Sequence, residues 1–319
     1  SSALGLNHSL KSQGRRMSRK PNYLFLVGAP KCGTSSLARM LGRHPEISVA
    51  SIKEPTHFTD FNTRDWTGPG IDGLRKSIVS DRAEYNALFA AKPEAAWRVD
   101  ASTDYLSCPV SAERIAAFRD DPDVGEVRVA AILRDPIARA ISEYQHTVRD
   151  HFETGTLKRA IEKEATRLAK HMHPLFGHVN RGCYACQITR YRTLFDEVLI
   201  LDYHGLRDGF EVVNQVTGNL GLEPVEAETM ASSNTSHIYR SSLIHRIIEN
   251  EFIKDVARAF VPTRFRDSVR QSINSINQTS YSPSAVELHM LRDALSDEIA
   301  ACIADPSIPT DRWSLALGD

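Results

Sequence analysis

The chain has 319 residues, 41% hydrophobic and 25% charged, with 39 Lys and Arg against 40 Asp and Glu and a pI near 6.9. That balance excludes a global electrostatic drive toward nucleic acid or an anionic membrane and leaves only local basic clefts. No run reaches the ~18 apolar residues of a membrane span, and five cysteines, an odd number, do not make a disulfide framework.

Residues 1–20 are polar and basic, without the apolar core of a signal peptide, and read as a flexible lead-in to a single domain over 21–319. The apolar run 22–28, ended by glycine, predicts a buried strand. Residues 34–44 carry Thr34 or Ser35 as an N-cap and apolar residues at helical spacing, so a helix follows directly. Further buried strands are expected at 96–100, 127–133 and 197–203. Helices are expected near 81–91, 111–119, 136–150, 156–171 and 182–195. After residue 205 the pattern is helical, at 209–220, 241–259, 264–274 and 283–303. Strands alternating with helices predict an α/β fold, a mostly parallel sheet flanked by helices with a helical C-terminal part, and ligands beyond the carboxyl ends of its strands.

The first such end carries the chemistry. Gly28 and Gly33 have the separation of a phosphate-binding G-x-x-x-x-G-K-[ST] loop, yet the lysine sits inside the loop at Lys31 and Thr34 takes its usual place. Backbone amides of Cys32, Gly33, Thr34, Ser35 and Ser36 at a helix N-terminus make an anion site. Lys31 adds a mobile charge, and Thr34, Ser35 and Ser36 add hydroxyls. A second site is expected in 131–144. Arg134 follows a strand, Pro136 suits a first helical turn, and Ser142 lies two turns on, a set that suits a second phosphate. The alternative is a capping salt bridge between Arg134 and Asp135.

"GAPKCGTSSL" resembles the 5′-phosphosulfate loop of sulfotransferases that use 3′-phosphoadenosine 5′-phosphosulfate (PAPS), and "RDPIARAISEY" resembles their 3′-phosphate motif. Residues 44–58 resemble the segment that carries the catalytic carboxylate in heparan-type and related bacterial carbohydrate or small-molecule sulfotransferases. Residues 100–106 resemble a substrate-cleft segment, 181–206 a loop, helix and strand of the family, and 291–313 its closing helix and tryptophan.

The resemblance implies a P-loop-like three-layer fold and a metal-independent in-line transfer of a sulfuryl group from PAPS, with 3′-phosphoadenosine 5′-phosphate (PAP) as product. Lys31 would stabilise the bridging oxygen as charge develops there. Arg134 and Ser142 would hold the 3′-phosphate, and Arg181 and Gly182 would close over it, with Tyr184 either packing there or facing the ligand. The acceptor hydroxyl needs a base, and the resemblance makes it Glu54. Lys53 would orient Glu54 or help stabilise the transferring group. Heparan-type members often place histidine two residues after the glutamate. Here His57 is three residues after it, which leaves it as alternate base, acceptor contact or neither.

The charged helix 156–170 reads as a solvated face with opposite charges at helical spacing. The irregular stretch 170–180, with His171, His173 and His178, lies where the family varies its acceptor loop, but its spacing is poor for a metal. Cys183 and Cys186 read as ordinary thiols. The near-neutral chain argues against a highly sulfated polysaccharide acceptor and leaves a glycan, glycolipid or small-molecule alcohol. A cytoplasmic location is expected, with the lumen of the Golgi as the alternative. A P-loop kinase is the competing function. It would need an acidic strand end for Mg²⁺, for which Asp100 and Asp202 are candidates. A non-catalytic nucleotide- or glycan-binding protein is the third reading, against which the joint presence of Lys31 and Glu54 argues.

Overall fold

The computed structural model describes residues 20–208, 210–224, 238–239, 278–279 and 281–317. The expected lead-in over 1–20 (save Lys20) and the expected helices at 241–259 and 264–274 lie outside the described residues.

Five strands form one parallel sheet: β1 (Asn22–Gly28), β2 (Ile47–Val49), β3 (Trp97–Asp100), β4 (Val127–Leu133) and β5 (Leu199–Asp202), in the order β2-β3-β1-β4-β5. Leu24 of β1 pairs with Val99 on one side and Arg128 on the other. The run Tyr23–Val27 is buried on both faces of the sheet, as expected for a central parallel strand. Ile238–Tyr239 and Gln278–Thr279 form a separate antiparallel ribbon.

The helices that follow are α1 (Thr34–Leu41), α2 (Ile71–Ser77), α3 (Arg82–Ala87), α4 (Asp104–Ser107), α5 (Ser111–Arg119), α6 (Pro136–Arg149), α7 (Leu157–Ala169), α8 (Tyr184–Arg192), α9 (Tyr203–Asp208), α10 (Glu211–Asn219), α11 (Ala285–Ala304) and α12 (Ser314–Leu317). Helix α6 starts where the sequence predicts it, with Pro136 in the first turn and the Asp135 carboxylate accepting from the Ile137 and Ala138 amides. The Ser284–Glu287 pair closes a capping box on α11. Among the described residues β2, α2, α4, α9, α12 and the two ribbon strands escape the sequence pattern, each too short to show a period.

One face of the sheet buries an aromatic cluster. Tyr23, Phe25, Phe58, Tyr85, Phe89 and Phe118 meet largely edge to face, with Tyr23 and Phe118 centroids 4.9 Å apart. On the other side of the functional edge, Ile137, Ile141 and Tyr144 of α6 pack with Leu157 of α7 and with Leu291 and Leu295 of α11. Among the described residues no helix is long and apolar enough to cross a membrane.

Candidate active site

The loop after β1 takes the form of an anion cradle. Gly33 caps α1 with a left-handed φ of 87° and no side-chain cap. A Cβ there would lie 2.8 Å from Leu206 Cδ2 and 3.3 Å from the Tyr203 ring, so both backbone angle and space call for glycine. The Ser36 amide donates to the Gly33 carbonyl (2.9 Å) and the Cys32 amide to the Ala29 carbonyl (3.3 Å). Of the five amides expected to face a ligand, those of Gly33, Thr34 and Ser35 therefore have no backbone acceptor among the described residues. Thr34 and Ser36 are buried and Ser35 is exposed. The Cys32 thiol is fully buried beside the Tyr184 hydroxyl (3.8 Å), and burial pushes its pKa up to about 11, so it contributes no thiolate.

Lys31 also has a left-handed backbone, φ 66°. Burial, then the charges of Arg149 and Lys53, push its ammonium down to about 8, while Glu143 and Asp150 pull the other way. The charge of Lys31 in turn helps burial push His146 of α6 down to about 4. Lys31 thus looks onto the second half of α6, a face the sequence does not mark as part of the site. This crowding of cations over unpaired amides fits a bound anion, which would relieve their mutual repulsion.

Glu54 lies in the irregular segment after β2, with φ 54°. Its Oε2 accepts from the Thr103 hydroxyl (3.1 Å), and Lys53 Nζ lies 3.7 Å from its Oε1. Burial and then the nearby Asp104 charge push the Glu54 carboxyl above its ordinary range, against Lys53, Arg181 and the Thr103 hydroxyl. His57 turns elsewhere. Its Nδ1 lies 2.7 Å from the Val79 carbonyl and its ring stacks on Tyr85 (4.4 Å, 15°), anchoring the segment to the aromatic cluster.

Arg134 leaves the end of β4 and lies over the Tyr203 ring, 4.9 Å from its centroid. The same ring lies against Gly33, so Tyr203 joins the two expected phosphate sites. Ser142 is buried on α6. Arg181 points inward: Nη2 lies 2.5 Å from Asp104 Oδ1, Nη1 meets Glu143, and the residue is 3% exposed. Glu143 also pairs with the fully buried Arg139, and the two arginines hold its carboxyl below the ordinary range despite burial. Gly182 rests near Arg139 and Leu295. Tyr184 is fully buried, packed on Trp313 at 6.0 Å between centroids, so of its two readings it takes the packing one. Asp104, Thr103, Glu143 and Tyr203 lie in segments the resemblance marks, but sequence reasoning gives none of them a role of its own. Only the Arg139–Glu143 spacing of four carries a sequence signal.

The 170–180 histidines separate. His173 Nδ1 accepts from the Leu175 amide (3.1 Å) and its ring lies on Phe61. His178 is fully buried against Tyr144, and His171 is exposed. Among the described residues no three metal-binding side chains are arranged to hold an ion. In α7, Lys158 and Glu162 form the expected surface pair (3.8 Å), but Glu164 and Arg167 turn inward. The Glu164 carboxylate accepts from the Val179 and Asn180 amides, and Arg167 pairs with Glu153.

Of the two acidic strand ends, Asp100 is enclosed by protein donors, while Asp202 stays partly exposed. Asp100 is fully buried, bonded by Ser102 (2.7 Å), Tyr105 (2.8 Å) and Tyr85 (3.1 Å), and burial pushes it up to about 6. Asp202 accepts from the His204 amide (3.0 Å). The kinase reading is not favoured.

No family model matches the chain. Among curated proteins it resembles human carbohydrate sulfotransferase 15, 27% identical over 153 residues covering 38% of this chain and 26% of that protein. It also resembles human bifunctional heparan sulfate N-deacetylase/N-sulfotransferase 1, 27% identical over 208 residues covering 62% of this chain and 22% of that protein. The matched part is about a quarter of the length of these relatives. Among solved structures, a sulfotransferase from Alicyclobacillus acidocaldarius is 32% identical with a TM-score of 0.60, covering 75% of this chain and 94% of that one. A likeness that spans nearly all of a solved relative, with the phosphate loop and parallel sheet in place, makes this chain a member of the PAPS-dependent sulfotransferase family.

Proposed function

We propose that the chain, with residues 21–319 as one domain, transfers a sulfuryl group from PAPS to a hydroxyl of a glycan acceptor. The carrying observation is that the structure gathers Lys31, Lys53 and Glu54: Lys53 pairs with Glu54, and its charge acts on Lys31. The names of the carbohydrate and heparan sulfate relatives support a glycan over a simple alcohol.

The donor would be held at two places. The amides of Gly33, Thr34 and Ser35, with the hydroxyls of Thr34 and Ser36, fit its 5′ end. Arg134 and Ser142 fit the 3′-phosphate, with Tyr203 between the two sites. PAPS supplies the activated sulfuryl group and, as leaving group, a phosphate. Lys31 keeps a positive charge at the loop mouth, where negative charge grows as transfer proceeds. Glu54 takes the proton of the acceptor hydroxyl, and its raised pKa makes it a stronger base while the Thr103 hydroxyl fixes its direction. Lys53 holds the other carboxylate oxygen. His57 acts as an anchor for the segment, and Arg181 works from inside by holding Asp104 and Glu143.

The test is a labelled-sulfate transfer screen over glycans, glycolipids and small alcohols, with Glu54→Gln and Lys31→Ala beside the parent. Transfer to a glycan that both substitutions cripple is the expected result. Parent-rate transfer by Glu54→Gln overturns the base assignment.

A further inference from the structure

Glu54 does not stand alone. The residue after its hydrogen-bond donor Thr103 is Asp104, which opens the four-residue helix α4 and has a side chain 9% exposed. Carboxylates at the start of short surface helices usually face water. Burying this one costs free energy unless a cation meets it. Arg181, from the turn before α8 and 77 positions along the chain, meets it at 2.5 Å and is itself fixed by Glu143 of α6.

We propose that Asp104, clamped by Arg181, is the positioning residue for Glu54: it pins the turn that delivers the Thr103 hydroxyl and sets a second negative charge beside the base. The proposal rests on Glu54 being the base. The groups that face Glu54 are Asp104 from α4, Lys53 from its own segment, Arg181 from the turn before α8, and the Thr103 hydroxyl. Of these only Asp104 favours the protonated carboxyl. A like charge makes a carboxylate readier to take a proton, and a base improves as its conjugate acid approaches the working pH. Arg181 holds Asp104 in place by their buried ion pair, so its charge beside Glu54 is a fixed feature of the site.

The experiment is a pH titration of Glu54 in the full chain carrying carboxyl-¹³C glutamate, its resonance assigned by its loss in Glu54→Gln. In Asp104→Asn the midpoint is expected to move to lower pH. That variant leaves Arg181 short of a partner inside the protein, so Asp104→Asn/Arg181→Gln, which removes one charge of each sign, serves as the second variant. There the midpoint is expected to move down by less, since Arg181 opposes Asp104 more weakly than Asp104 acts. PAP affinity by calorimetry within about twofold of the parent shows that the site is still folded. A midpoint unchanged or raised in the folded variants overturns the proposal. Failure of the base assignment appears separately, as parent-rate transfer by Glu54→Gln, and leaves the titration result standing.

Discussion

Arg181 and Asp104 form a buried ion pair, Nη2 to Oδ1 2.5 Å, that ties the turn before α8 to the first residue of α4. With Glu143 and Arg139 it completes a row of alternating charges behind the active site. Truncating one member leaves its partners buried and uncompensated, which costs ~3–5 kcal/mol. Arg181→Ala is therefore expected to lower the thermal midpoint by roughly 10 °C. Because its guanidinium faces carboxylates, the folded variant should lose less PAP affinity than Arg134→Ala. Thermal unfolding and calorimetry on the two variants check both statements, and an equal or larger loss in Arg181→Ala would place that arginine on the phosphate.

Glu54→Gln keeps shape and removes basicity. Sulfuryl transfer should fall by ~10²–10⁴, with PAP affinity retained, because Glu54 touches no part of the proposed nucleotide site. Lys31→Ala should lower transfer by a comparable ~10²–10³ and weaken PAP as well. Steady-state transfer and PAP titration on the same preparations separate the two patterns.

Lys31 gives nucleotide binding a pH dependence of definite sign. In the free protein its ammonium loses a proton near 8, driven down by burial, Arg149 and Lys53. A bound anion favours the charged form and raises that pKa, so binding above 8 takes up a proton. PAP affinity should be level below 8 and fall as pH rises, by up to about tenfold per pH unit until the pKa of the bound form is reached. Lys31→Arg keeps its charge throughout and should flatten this limb. Calorimetry at about pH 7 and about pH 9 decides it.

Gly33→Ala asks for a left-handed alanine with Leu206 Cδ2 at 2.8 Å. A cost of ~1–3 kcal/mol is expected, visible in denaturant unfolding, together with weaker PAP binding because the amides of the cradle must shift. Gly218, which has open space around it, is the control: Gly218→Ala should be stable, since alanine favours a helix interior.

What was legible in the sequence was what repeats or what sits close together. The apolar runs of β1 and β4 and Pro136 in the first turn of α6 act within a few residues, whereas the cap of α1 falls on Gly33 rather than on the expected Thr34 or Ser35. Strand β2 has only Ile47, Ser48 and Val49, too short for its alternation to stand out from chance. The Asp104–Arg181 pair spans 77 positions, and nothing in either neighbourhood announces the other. Charge pattern also says nothing of direction. Arg181 reads in the sequence as a phosphate-facing residue and Glu164 as a solvated one, and each turns inward because a carboxylate or backbone partner waits there.

The strip from Phe61 to Gly70 rests on the 170s stretch through main-chain bonds: the Thr67 amide to the His171 carbonyl at 2.8 Å, and the His173 amide to the Thr67 carbonyl at 3.2 Å. Such bonds are indifferent to most side chains. The path of this strip is thereby held at Thr67 whatever side chain that exposed position carries, so surface chemistry can change there while Phe61, Gly68 and Gly70 keep their packing and turn roles.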